Sequence, residues 1–209
     1  MNAVVTTMLC SSPDPQRGGR WVPDGHLLDT LAGSITAAEL TVLHDTPPRH
    51  PVPAANYRAV TPSANPYHHR WTVLADWLAT TSAEWVWCVD ATDVEMLHEP
   101  WGHMEPGVIY CGSEPSTEVA EEWLAENHPS AGGVVGPLLN AGILGGDVVT
   151  VRAFVSELVA ELAACGDDLT DMAAFNRCAV GFELVTGEQV HTRFRAEERD
   201  HPTAWWRHK

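Results

Sequence analysis

Residues 85–89, Trp-Val-Trp-Cys-Val, form a short apolar run that stops abruptly at Asp90, Asp93 and Glu95. A run of this length bounded by polar residues reads as a buried strand. A buried strand that delivers carboxylates at its C-terminal end is how an α/β domain presents acidic groups to a ligand crevice. Carboxylate oxygens are hard ligands suited to Mg²⁺ or Mn²⁺, and such an ion can in turn hold a diphosphate. The plainer reading is that these acids cap the next helix or face water.

The rest of the chain alternates in the same manner. Residues 3–9 and 39–43 read as strands, 57–60 and 108–111 as shorter ones, and 183–194 as containing one or two more. Asp24 is a candidate N-cap for a helix running to about residue 32. Residues 68–80 carry Trp71, Leu74, Trp77 and Leu78 at helical spacing, which assigns them to core packing. Helices are also expected at 118–127, with Trp123 and Leu124 inward, at 149–164, with Phe154, Leu158 and Leu162 on one face, and at 171–179. Residues 11–19, 46–55 and 130–136 read as loops. Alternating strands and helices predict a three-layer α/β domain with a mainly parallel mixed sheet, and 209 residues suit one domain, 1–209.

Composition bounds the function. The formal charge is −16, and no Lys or Arg lies between Arg70 and Arg152. Such an acidic body disfavours nucleic acid, including as an acceptor, and anionic membranes, both of which need a basic surface. Five of the twelve basic residues fall between Arg193 and Lys209, and a basic tail facing an acidic strand end would make a pocket for one phosphorylated ligand. No apolar run is long enough to span a membrane. The first ten residues do not read as a signal peptide. The five cysteines are an odd number without metal-binding spacing, which predicts reduced, mostly buried thiols in a cytoplasmic protein.

A second segment, Leu139-Asn140-Ala141-Gly142-Ile143-Leu144, combines groups suited to a sugar. Gly142 allows close backbone approach to a ligand, and the Asn140 amide both donates and accepts. A glycine-rich bend before a strand accounts for the same residues. Asp171 opens a helix, either as its N-cap or as a ligand contact.

Taken in order, these pieces resemble glycosyltransferases of the GT-A fold, which bind nucleotide sugars in a single α/β domain. The strand-end Val89-Asp90-Ala91-Thr92-Asp93 is similar to that family's Asp-x-Asp but longer by one residue, so Thr92 and Glu95 stand beside Asp93 as second candidates. Asn140-Ala141-Gly142 is similar to the turn of the retaining group that includes glycogenin and the lipopolysaccharide galactosyltransferases. Asp171-Met172-Ala173-Ala174-Phe175-Asn176 resembles a helix of that group, keeping its Asp and Asn.

The resemblance implies Mn²⁺ or Mg²⁺ held by Asp90 and Asp93 with His208 as a further ligand; His191 and His201 are alternatives for that last role. It implies a nucleotide diphosphate sugar as donor, a UDP-sugar favoured, with Asp14 and Arg17 beside the nucleotide, Asp45 reading the base and Lys209 on the phosphate. Arg70 would pair with the metal-site carboxylates or the sugar, and Asn140, Gly142 and Asp171 would lie against the sugar. Retention is favoured; an inverting enzyme would need a base, for which Asp171 is the candidate.

The acceptor is a protein, a glycan or a small molecule. Trp21, Trp101, Trp205 and Trp206 look exposed and able to stack on a sugar. The competing readings are a non-catalytic binding or assembly protein of the same fold, a sugar nucleotidyltransferase, for which residues 11–20 lack the lysine, and a metal-dependent hydrolase.

Overall fold

The computed structural model describes residues 1–15, 17–114, 119–128, 134–165, 170–193 and 202–208. Its strands are β1 (Asn2–Met8), β2 (Glu39–His44), β3 (Ala55–Ala59), β4 (Trp85–Val89), β5 (Val94–Met96), β6 (Val108–Ser113), β7 (Leu139–Asp147), β8 (Glu183–Val185), β9 (His191–Arg193) and β10 (Trp206–His208). The helices are α1 (Asp29–Ser34), α2 (Pro66–Thr80), α3 (Ala120–Asn127), α4 (Val148–Cys165) and α5 (Asp171–Ala179), with a 3-10 turn at Gly25–Leu28 before α1.

Seven strands make one mixed sheet in the order β3-β2-β1-β4-β7-β6-β8. Four neighbouring pairs are parallel; β7 runs against both β4 and β6. Period-two alternation sends side chains to two separate cores. Ala3, Val5, Val86 and Cys88 face the core shared with α2, α4 and α5. Val4, Leu40, Val42 and Trp87 face a second core with Leu28 and Leu31 of the 3-10 turn and α1, closed by the small sheet β5-β10-β9. The molecule is thus α/β, with layers on both faces of the sheet.

Phe154, Leu158 and Leu162 of α4 are buried as their spacing predicts. All five cysteines are free thiols, and burial pushes Cys88, Cys111 and Cys178 up to about 12. No helix among the described residues is long and apolar enough to cross a membrane.

Topology places the crevice. From β1 the chain steps through β2 to β3 in one direction, then returns to lay β4 on the other side of β1. The connections leaving β1 and β4 therefore diverge, and a cleft opens at their C-terminal ends. Because β7 is reversed, its first residues reach that same edge.

Three features differ from the sequence expectation. Asn140-Ala141-Gly142 is part of β7 rather than a turn before a strand: pairing with β6 jumps from Cys111–Leu144 to Gly112–Asn140, so the intervening residues bulge. Trp205 and Trp206 are buried, not exposed, with Trp206 centred 5.3 Å from Trp87 and Trp205 5.4 Å from Tyr110. Thr170, not Asp171, caps α5, its hydroxyl accepting from the Ala173 N–H.

Candidate functional site

Arg70 organises the cleft. Asn65 caps α2 by accepting from the Tyr67 and His68 N–H groups, and Pro66 opens the helix with its φ already fixed. One turn later the Arg70 guanidinium reaches Asp90 Oδ1 at 2.8 Å and Asp171 Oδ2 at 2.6 Å, and lies 4.7 Å from the centre of the Trp71 ring. Trp71 Nε1 donates to the same Asp171 oxygen at 3.3 Å. The cation thus joins the end of β4 to the start of α5. Burial works against its charge, but Asp171 and Asp90 outweigh that and raise Arg70 above its ordinary value. Burial likewise pushes the Asp90 carboxyl up; Arg70 and His208 reverse this and hold it well below the usual carboxylate range.

Beside Arg70, Asp90, Asp93 and His208 each offer a ligand atom within 4.8 Å of the other two. His208 Nε2 stands 3.7 Å from Asp90 Oδ2. The imidazole is carried in by β10, which sets His208 opposite Val94 of β5. Gly142 makes the approach possible: a Cβ there would lie 2.6 Å from His208 Nε2 and 2.7 Å from Asp90 Oδ2. Two carboxylates and one imidazole suit a Mn²⁺ or Mg²⁺ ion with water completing its shell. Glu95, the third acidic candidate, is paired with Arg207 instead at 2.5 Å, and Thr92 is exposed on the cleft wall.

The cleft measures about 780 Å³, within the range of small-molecule sites. Asp14, Arg17, Arg70, Asp90, Asp93, Asn140, Gly142, Asp171 and His208 all line it. Asp14 is buried, accepting from Tyr67 Oη at 2.9 Å, from the Arg17 N–H at 3.0 Å and from Trp21 Nε1 at 3.3 Å. Burial and this carboxylate push the Tyr67 phenol up to about 12, so it stays a neutral donor. Arg17 is exposed, 5.5 Å over the Trp21 ring, and Trp21 itself is open to solvent. Trp101 lies elsewhere, its indole N–H donating to the Thr36 carbonyl.

Asp45 is not among the lining residues. Its carboxylate accepts from the Cys10 and Ser11 N–H groups and from the Ser11 hydroxyl, tying the loop after β1 to the end of β2. Asn140 lines the cleft with its amide already engaged: Oδ1 accepts from the Gly142 N–H at 2.7 Å and Nδ2 donates to Glu114 at 2.5 Å. Asn176 faces the core, where it bonds both backbone groups of Leu139. His191 is buried in β9. His201 and Lys209 lie outside the described residues.

Glu114 and Tyr67 belong to the cleft and were not singled out from the sequence. Glu114 had a signal: it follows the apolar run of β6 as Asp90 follows β4. Tyr67 had none, because one tyrosine near a helix start is unremarkable. The cleft carries the carboxylates of Asp14, Asp90, Asp93, Glu114 and Asp171 against the guanidinium groups of Arg17 and Arg70. Arg70 is already shared between two carboxylates, so a polyanionic ligand would enter only with a cation of its own. No protein-family model matches the chain, and no curated protein is significantly similar to it.

Proposed function

We propose that the chain is a metal-dependent glycosyltransferase that moves a sugar from a nucleotide diphosphate sugar, a UDP-sugar in the first instance, to an acceptor hydroxyl. One observation carries the reading: Asp90, Asp93 and His208 converge at the C-terminal edge of the parallel strands, beside a half-buried arginine and inside a cleft of nucleotide-sugar size. The motif resemblance to GT-A glycosyltransferases supports it, as does a mixed sheet with α2, α4 and α5 on one face and α1 with a small sheet on the other.

Asp90, Asp93 and His208 would hold Mn²⁺ or Mg²⁺, which when bound supplies Lewis-acid charge to the leaving diphosphate. Arg70 keeps Asp90 ionised and aimed at the cleft. Arg17, exposed at the mouth, adds positive charge near the nucleotide. Asn140, fixed by Glu114 and the Gly142 N–H, presents its remaining amide hydrogen to sugar hydroxyls. In the transfer, the bond from the anomeric carbon to the diphosphate oxygen breaks and its electron pair leaves with the nucleotide. The acceptor oxygen bonds to that carbon and passes its proton to the departing diphosphate oxygen. Retention is the favoured outcome on the resemblance of Asn140-Ala141-Gly142 to the turn of the retaining group, and Asp171, the candidate base for inversion, already spends an oxygen on Arg70 and Trp71.

The test is thermal stability against UDP-, GDP-, dTDP- and ADP-sugars with and without Mn²⁺. A ligand bound at a hundred times its Kd stabilises by about 2.7 kcal/mol. The expected result is a shift for one nucleotide class that requires Mn²⁺ and disappears in Asp90→Asn and Asp93→Asn. No shift with any donor, or an equal shift in both variants, overturns the reading. Because the site's polar groups are so largely paired within the protein, donor binding without transfer would assign it instead to a non-catalytic binding protein.

A further inference from the structure

Away from the cleft, a second group of metal-ligating side chains converges among the described residues. Asp24, His26 and His50 each offer one ligand atom, all within 4.8 Å of one another. They come from two chain segments, and the backbone is arranged to bring these together. The Gly25 N–H donates to the Arg49 carbonyl at 2.7 Å and the Arg49 N–H to the Pro23 carbonyl at 2.8 Å. Gly25 leaves no room for a side chain, since a Cβ there would lie 2.8 Å from the His50 carbonyl carbon. His50 sits at φ 50°, the left-handed region that disfavours residues with a Cβ.

That conformation stacks the His50 ring on the ring of His26, with centroids 5.0 Å apart and planes at 25°. Asp24 Oδ1 lies 3.4 Å from His50 Nδ1 and accepts the His26 backbone N–H at 3.1 Å, which fixes the carboxylate beside the stacked pair. Asp29 Oδ2 stands 3.1 Å from His26 Nδ1, adding a further negative charge against the pair.

We propose that Asp24, His26 and His50 form a second cation site, for a divalent transition metal of the Zn²⁺ class. Two imidazole nitrogens and one carboxylate oxygen are a borderline donor set that suits Zn²⁺, Ni²⁺ or Cu²⁺. Mg²⁺ and Ca²⁺ prefer oxygen ligands and would not compete. Both histidines are exposed, so water completes the coordination. The site lies at the foot of the loop that carries Arg17 and Trp21, and Leu27 of the same 3-10 turn lines the cleft. A bound ion would clamp residues 24–26 to residue 50 and stiffen that wall, whatever reaction the cleft performs.

The experiment is calorimetric titration of the chelator-stripped full chain with Zn²⁺, repeated on D90N/D93N, which silences the cleft, and on H26A/H50A. The expected result is that D90N/D93N keeps a Zn²⁺ equivalent, and that adding H26A/H50A to it weakens that binding at least about tenfold. H26Q/H50Q, added likewise, keeps the side-chain bulk and gives the same loss, which separates lost ligands from a disturbed fold. Mg²⁺ in excess leaves the Zn²⁺ isotherm of D90N/D93N unchanged. The proposal is overturned if D90N/D93N binds no Zn²⁺, or if the histidine substitutions leave the number of ions and their affinity unaltered.

Discussion

Gly142 and His208 lie against each other so closely that one excludes a side chain on the other: a Cβ on Gly142 would fall 2.6 Å from His208 Nε2. The bulge in β7 thus makes the space into which β10 delivers its imidazole. Gly142→Ala must push His208 or Asp90 aside, and overpacking of this kind costs about 1–3 kcal/mol. The expected outcome is a lower melting temperature, with the Mn²⁺-dependent part of donor stabilisation lost. Melting curves of the two proteins with and without Mn²⁺ and donor check it; full retention of the metal effect would show that His208 is not needed there.

The Arg70–Asp171 pair holds α2 to α5 with both side chains largely out of water, 15% and 11% exposed. Removing one charge from such a pair leaves the other poorly compensated, at a cost of about 3 kcal/mol. Asp171→Asn should lower unfolding free energy by that amount in urea. Arg70 keeps Asp90, so the variant is expected to fold. A loss below about 1 kcal/mol would mean that Asp90 alone satisfies the guanidinium.

How much of this was readable from sequence depends on the range of the interaction. The β4 strand ending at Asp90 and the bounds of α5 follow from local pattern, and the structure places both as expected. The small sheet does not follow. β5 and β10 have three residues each, too few for periodicity, and pair across more than a hundred residues of chain. That pairing buries Trp205, Trp206 and His208, which by composition alone look like a polar tail. Asp45 illustrates another limit. A strand-end carboxylate looks the same in sequence whether it faces a ligand or ties down a neighbouring loop.

Asp45 gives a pH-dependent prediction. Burial pushes its carboxyl up, but the Ser11 hydroxyl and the Cys10 and Ser11 N–H groups outweigh that and hold it below the ordinary value. Its folded pKa is therefore depressed relative to the unfolded chain, near about 3.9. The stabilisation is fully present above that value and is lost as pH falls through the folded pKa. Asp45→Asn should cost about 1–2 kcal/mol at neutral pH, with the gap to the unaltered protein closing below about pH 4. Urea unfolding at a series of pH values measures it; a gap that stays constant down to pH 3 would exclude this assignment.

Asn176 replaces a missing strand. β4 ends at Val89, opposite Ile143, so among the described residues no strand pairs with Leu139 on that side of β7. The Asn176 amide fills the gap, accepting from the Leu139 N–H at 2.9 Å and donating to its carbonyl at 3.0 Å, and it also bonds the Met172 carbonyl at 2.9 Å. A side-chain amide carries the same donor and acceptor as a peptide, which explains why this residue type serves. Asn176→Ala would leave buried backbone groups without partners, at a cost of about 3 kcal/mol. Because Asn140 is the next residue along β7, the same change should loosen the end of the strand that lines the cleft. Hydrogen exchange at Leu139 and Asn140 should speed up relative to the β4–β7 core, while Leu144 stays protected. Uniform exchange along β7 would show that the strand end is held by β6 alone.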